Sequence, residues 1–290
     1  MELKHISQNG GRLSCVLREE MGMSMSLMNK LKWTDRLLVN GISCHTDYLV
    51  QPGDRVTAIL PDAVSEYPAQ DGALCVLYED DHFLAVDKPA GMLIHPSRSC
   101  FTGTLANFVL GYYQKTGQTC AFHPITRLDR DTFGVVLLAK NPHIHGRMMA
   151  LHREEKLKKT YYALVYGHPS EKGVIDAPIA RQEPPSLLRY VDEKGKPCRT
   201  VYQRLEKKEN YSLLELHPIT GRTHQLRVHC AHIGHPILGD PQYGTEASLE
   251  LSKAMGIETQ ALCAGKLEFC HPITAQTLCI SSQMKVYNGK

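Results

Sequence analysis

No apolar run in the sequence approaches the roughly 18 residues that a membrane-crossing helix needs. The first residues, "MELKHISQNGGRLS", lack the cationic and then apolar order of a secretory signal. A cytoplasmic protein without membrane association is therefore expected. Charge of one sign is also scarce, because 33 basic residues stand against 30 acidic ones for a net charge of +3. A global field is thereby excluded as the basis of nucleic-acid binding, which would have to rest on local patches. The ten cysteines are scattered and none form a Cys-x-x-Cys pair. That spacing favours reduced, buried thiols over a disulfide framework or a structural zinc cage. There is no glycine-rich phosphate loop of the strand–helix type, no low-complexity tract and no clear repeat.

What is present is material for a substantial core: 290 residues, 42% hydrophobic and 22% charged, enough for one large core or two unequal ones. Residues 1–60 read as a small unit. Helical spacing at Leu13, Val16 and Leu17, and later at Leu27 and Leu31, precedes alternating apolar and polar residues around Asn40-Gly41, a strong hairpin signal, with a second turn at Gly53-Asp54. Residues 61–73, "PDAVSEYPAQDGA", carry two prolines and no periodicity and read as a linker. Residues 74–290 form the larger unit. Two short strands open it, a helix is expected over "TLANFVLGYYQK", "GVVLLAK" reads as a buried strand, and a basic helix is expected over roughly 142–158.

The most charged stretch lies directly against one of the most apolar. In "ITRLDRDTFG", residues 125–134, Arg127, Asp129, Arg130 and Asp131 precede the buried strand. A solvated charge network is the ordinary meaning of such a run. A carboxylate on a loop at the mouth of a buried strand is, however, held on a rigid platform suited to a nucleophile.

The surrounding motifs decide between these meanings. The loop resembles the signature of the RluA-type pseudouridine synthases, His-Arg-Leu-Asp-x-x-Thr-Ser-Gly, with Arg127, Leu128, Asp129, Thr132 and Gly134 in register; Thr126 replaces the histidine and Phe133 the serine. "DKPAGMLIHP", "KTYYALVYG", "GKPCRTVYQRLE", "TGRTHQLRVHCAHIGHPILGDPQYG" and "LEFCHPIT" resemble further family motifs in the same order, so the likeness spans roughly 74–285. Residues 12–60 resemble the alpha-L RNA-binding module through "VNG" and "PGDRV".

The resemblance implies an α+β catalytic fold on a mixed, largely antiparallel sheet behind an alpha-L-like domain. It implies an isomerase acting on uridines in structured ribosomal or transfer RNA, as a monomer without a protein partner. Because the reaction is an isomerisation, no cofactor or metal is implied. Asp129 takes the place of the nucleophile, attacking either C1′ of the ribose or C6 of the base. Arg227 is its cationic partner, which a carboxylate kept ionised in a partly buried site needs. Tyr161 packs against the uracil and serves in the late proton transfer. Arg127 stacks in the gap left by a flipped nucleotide. Leu128, Lys159, Arg222, His224 and Gln225 complete the substrate side.

Three rivals are weighed against this reading. His229 and His232 share one helical face, as in a zinc hydrolase, but no carboxylate base stands at the matching spacing. Asp129 and Asp131 as a glycosidase pair leave the later motifs unexplained. A non-catalytic ribosome- or RNA-binding factor with a silent synthase domain is the stronger alternative, kept alive by Thr126 and Phe133.

Overall fold

The strand Phe133–Ala139 is apolar at nearly every position because both its faces are covered. In the computed structural model, which describes residues 1–61, 65, 67–97, 100–183, 186 and 188–286, it lies inside a ten-stranded sheet. Val135, Leu137 and Ala139 point to one face, joining Phe83, Ala85, Ile144 and Met148 beneath the helix Pro142–Arg153. Val136 and Leu138 point to the other, joining Leu84, Val86, Leu105, Val109 and Tyr113 under the helix Leu105–Lys115. The period of two along a strand thus feeds two cores at once.

Spatial order in this sheet runs Lys172–Asp176, Arg199–Lys207, Tyr211–Pro218, Lys158–Tyr166, Leu262–Cys270, Phe133–Ala139, Phe83–Lys88 and Val76–Glu79. Two shorter strands, His123–Pro124 and Thr277–Ser281, flank Phe133–Ala139 and Leu262–Cys270. Every pairing is antiparallel except one, in which Phe133 and Gly134 run parallel to Cys263 and Ala264. Two antiparallel halves therefore meet at a short parallel seam. The second half has its own core, with Ala163, Val165, Leu214 and Leu216 packed against Leu226 and Cys230 of the helix Gln225–His232.

The first sixty residues form a separate four-stranded antiparallel sheet of Glu2–Ile6, Arg55–Ile59, Leu37–Val39 and Ile42–Ser43. Helical turns over 13–20 and the helix Met25–Leu31, capped by the Ser24 hydroxyl, cover it with Leu13, Leu17, Leu27 and Leu31. The hairpin falls at Asn40-Gly41, whose φ values of 51° and 85° match a two-residue turn with both central residues left-handed. No helix among the described residues is long and apolar enough to cross a membrane.

Several boundaries differ from expectation. The helix expected over 142–158 ends at Arg153, because Glu155 takes a left-handed φ of 56° and turns the chain into the strand that starts at Lys158. Of the linker expected over 61–73, residues 62–64 and 66 lie outside the described residues. Its second half is fastened to the Leu105–Lys115 helix: Asn107 Nδ2 donates to Pro68 O, and Gln70 N donates to Asn107 O.

Gly134 at the seam has φ 112°, and a Cβ added there would lie 2.3 Å from Ala264 O. Gly134→Ala therefore combines forbidden backbone with a main-chain clash. It is expected to lower stability by about 3 kcal/mol, read as a lower urea midpoint. Burial also pushes His143 down to about 4 from an ordinary 6.5. A depressed folded value gives stability that is complete above pH 6.5 and is lost as pH falls towards 4, because the unfolded chain then binds the extra proton. Urea midpoints between pH 7 and 4.5 are expected to fall, less steeply in His143→Gln.

Candidate active site

Both ends of the loop carrying Asp129 are pinned, the first to the strand Phe133–Ala139 and the second to the segment before Leu262–Cys270. At its start, Ile125 N and Thr126 N donate to Leu137 O, while Thr126 Oγ1 accepts from Leu137 N. Thr126, which departs from the family histidine, thus holds the loop base with its hydroxyl. At its end, Thr132 Oγ1 accepts from Gln260 Nε2. Leu128 packs on the cluster that includes Met92 and Ile94.

From below, Lys88 holds the middle. This side chain is fully buried, and its Nζ donates to Pro89 O, Met92 O and Arg130 O, each at 2.8 Å. Three carbonyls satisfy the three ammonium donors. Burial pushes Lys88 down to about 8, with the charges of Asp131 and Asp129 acting against that fall.

Asp129 meets Arg227 across 98 residues of chain, Nη1 donating to Oδ2 at 3.3 Å. Arg227, only 5% exposed, is itself clamped. Nε and Nη2 donate to the two oxygens of Asp240 at 2.7 and 2.8 Å, and Nη2 also donates to Gln242 Oε1 at 2.7 Å. The guanidinium lies 5.0 Å from the centre of the Tyr243 ring. Asp240 is fully buried, and its Oδ1 accepts from the backbone N–H groups of Gln242 and Tyr243. Burial acts to lower the Arg227 pKa, but the bonds to Asp240 outweigh it and hold the guanidinium above its ordinary value.

Tyr161 sits on the strand Lys158–Tyr166 opposite Ala264, the residue that also pairs with Gly134. The row Tyr161, Ala264, Gly134 crosses the seam and brings the phenol beside the loop. Burial, reinforced by the Asp129 charge, holds the Tyr161 hydroxyl well above its ordinary value. The adjacent Tyr162 ring packs instead against Gly265, where an added Cβ would lie 2.4 Å from it. His224 is the other neighbour, with Nε2 4.0 Å from Asp129 Oδ2.

The remaining expected residues divide. Arg127 is exposed, near enough to His95 for its charge to add to the burial that lowers that imidazole. Arg222 is exposed, its Nε donating to Pro197 O. Lys159 is partly buried and pushed down to about 8 by burial, with no carboxylate within ion-pair distance among the described residues. Gln225 differs from the substrate contact expected of it, because its amide is consumed within the fold. Oε1 accepts from Arg222 N and Thr220 Oγ1, and Nε2 donates to Arg199 O and Thr200 Oγ1. His229 is likewise committed, its ring nitrogens facing Thr200 Oγ1 and Ala177 O at 2.9 and 3.0 Å.

Sequence reasoning placed Lys88, Asp240, Gln242 and Tyr243 within motifs but gave them no role in the site. The signal was present, since a helix arginine beside an apolar stripe needs a carboxylate if it is buried, and "GDPQYG" follows 12 residues after Arg227.

A family model for RNA pseudouridylate synthase matches residues 82–232. The chain is 36% identical over 275 residues to the uncharacterized RNA pseudouridine synthase YhcT of Bacillus subtilis (strain 168), covering 93% of this chain and 89% of that protein. It is 37% identical over 223 residues to ribosomal large subunit pseudouridine synthase D of Zymomonas mobilis, covering 74% and 70% of the two chains. Among solved structures, human RNA pseudouridylate synthase domain containing 1 superposes with a TM-score of 0.61 at 26% identity, over 75% of this chain and 86% of that one. With motifs, fold and relatives in agreement, the chain belongs to the RluA-type RNA pseudouridine synthases, isomerases of uridine in RNA.

Proposed function

We propose that the protein isomerises particular uridines in structured ribosomal or transfer RNA, with Asp129 as nucleophile. The observation that carries this reading is the placement of Asp129, one oxygen braced by a clamped guanidinium, beside a protonated phenol on a rigid sheet seam. Attack of the carboxylate on C1′ displaces N1, whereas attack on C6 gives an adduct from which the N1–C1′ bond then breaks. The uracil turns and C5 bonds to C1′; the bond to Asp129 breaks, by displacement from C1′ or by elimination from C6, and its electron pair returns to the carboxylate. C5 loses a proton and N1 gains one, so the product is an isomer of the substrate. A covalent carboxylate intermediate divides one hard displacement into two easier ones.

Arg227 donates to the carboxylate and holds it stationary. Tyr161 packs on the uracil. Its hydroxyl keeps its proton through the neutral range, so it takes part in the departure of the C5 proton as a relay that accepts one proton while releasing another. Arg127, exposed at the rim, stacks where the flipped nucleotide stood, offsetting the few kcal/mol of unstacking. Lys159, without a carboxylate partner among the described residues, and Arg222 take RNA phosphates.

Asp129→Asn is expected to lower tritium release from 5-labelled uridine RNA by at least about 10³-fold, with RNA affinity by filter binding within about twofold of wild type. Unchanged turnover counts against the assignment. Asp240→Asn unclamps Arg227 and is expected to cost roughly 3–5 kcal/mol of folding stability, as for other broken buried pairs, together with most of the turnover. Thermal melts beside the same tritium assay check both effects. Mapping pseudouridines in RNA from cells with and without the protein identifies the target.

A further inference from the structure

The His224 imidazole is aimed by a backbone conformation that histidine seldom adopts. At φ 56° and ψ 17° it occupies the left-handed region at the start of the Gln225–His232 helix. Such a conformation persists where the surroundings over-determine it. Two neighbours define the ring: Nδ1 lies 2.8 Å from the Tyr243 hydroxyl, and Nε2 lies 4.0 Å from Asp129 Oδ2.

The proton positions follow from the partners. The Arg189 backbone N–H donates to the Tyr243 oxygen at 3.0 Å, so that oxygen accepts in this bond. Among the described residues the phenol O–H has a single acceptor in range, His224 Nδ1. The reverse direction leaves the phenolic proton without an acceptor among the described residues. A neutral imidazole that accepts at Nδ1 carries its proton on Nε2. Burial holds His224 below its ordinary value, aided by the charges of Arg227 and Arg189 and opposed by those of Asp129 and Asp240.

We propose that His224 is a positioning residue: Tyr243 fixes it as the Nε2–H tautomer, and that N–H becomes the second donor to Asp129 Oδ2 once a nucleotide binds beside Asp129. The proposal rests on Asp129 being the nucleophile. Arg227 already donates to Oδ2, and no hydrogen bond reaches Oδ1 among the described residues. Two donors on one oxygen stop the carboxylate from exchanging its oxygens, and Oδ1 is left to attack.

The tautomer is read directly from two-bond proton–nitrogen correlation spectra of the full-length, ¹⁵N-labelled protein, with His224 assigned by its loss in His224→Gln. Wild type is expected to show Nδ1 bare and Nε2 protonated, and Tyr243→Phe a mixture. A protonated Nδ1 in wild type overturns the proposal. Glutamine carries a donor to about the reach of Nε2, whereas the asparagine amide stops near Nδ1. The kcat of His224→Asn is therefore expected to lie about tenfold or more below that of His224→Gln, with KM for RNA within about twofold between them. Equal losses in the two variants, or a loss confined to KM, also overturn it. Variants that fail to fold leave the wild-type and Tyr243→Phe spectra to decide. Because those spectra need no turnover, an active Asp129→Asn protein would sink the nucleophile assignment separately.

Discussion

The buried pair of Arg227 and Asp240 is the interaction on which the site depends. A guanidinium taken out of water is tolerated only when its charge and its donors are met, and Asp240 meets them with both oxygens from a fully buried position. Asp240 is in turn held by two backbone N–H groups, so the clamp is anchored in main chain. Asp129 is the third member, drawn to the one guanidinium nitrogen that Asp240 leaves over. One cation shared by two carboxylates would leave excess negative charge in a partly dry site. Lys88 stands close enough for its charge to be felt by Asp129 and Asp131, and it offsets that excess from beneath.

The sheet makes this arrangement repeatable. Two antiparallel halves, each with its own helices and core, touch through a parallel contact of two residue pairs. At that seam the loop bearing Asp129 and the strand bearing Tyr161 are separated by the single residue Ala264. A position fixed by backbone hydrogen bonds on both sides is more rigid than any loop–loop contact, and rigid support is what a reacting group needs.

Much of this was legible in the sequence, for reasons that differ by element. The strand Phe133–Ala139 and the helix Leu105–Lys115 announce themselves by period and length, and Asn40-Gly41 by turn chemistry. The early end of the helix at Arg153 was not legible, because a non-glycine residue, Glu155, supplies the left-handed turn. Nor was the docking of residues 67–71, part of a stretch whose two prolines and lack of periodicity read as loop while tertiary contacts decide its place. At the site, the motifs supplied Asp129, Tyr161 and Arg227, whereas the company they keep is set by folding. Gln225 illustrates the limit. Its place in a stretch that resembles a family motif suggests contact with substrate, yet its amide closes the loop around Thr220 and Arg222.

The Lys88 ammonium grips the reactive loop through the carbonyl of Arg130 and ignores the side chain at that position. Main-chain oxygens are the same in every amino acid. The exposed side chain next to Asp129 bonds only to Asp131 among the described residues, so a change at residue 130 alters the outer surface while the contact that holds the loop from beneath stays in place.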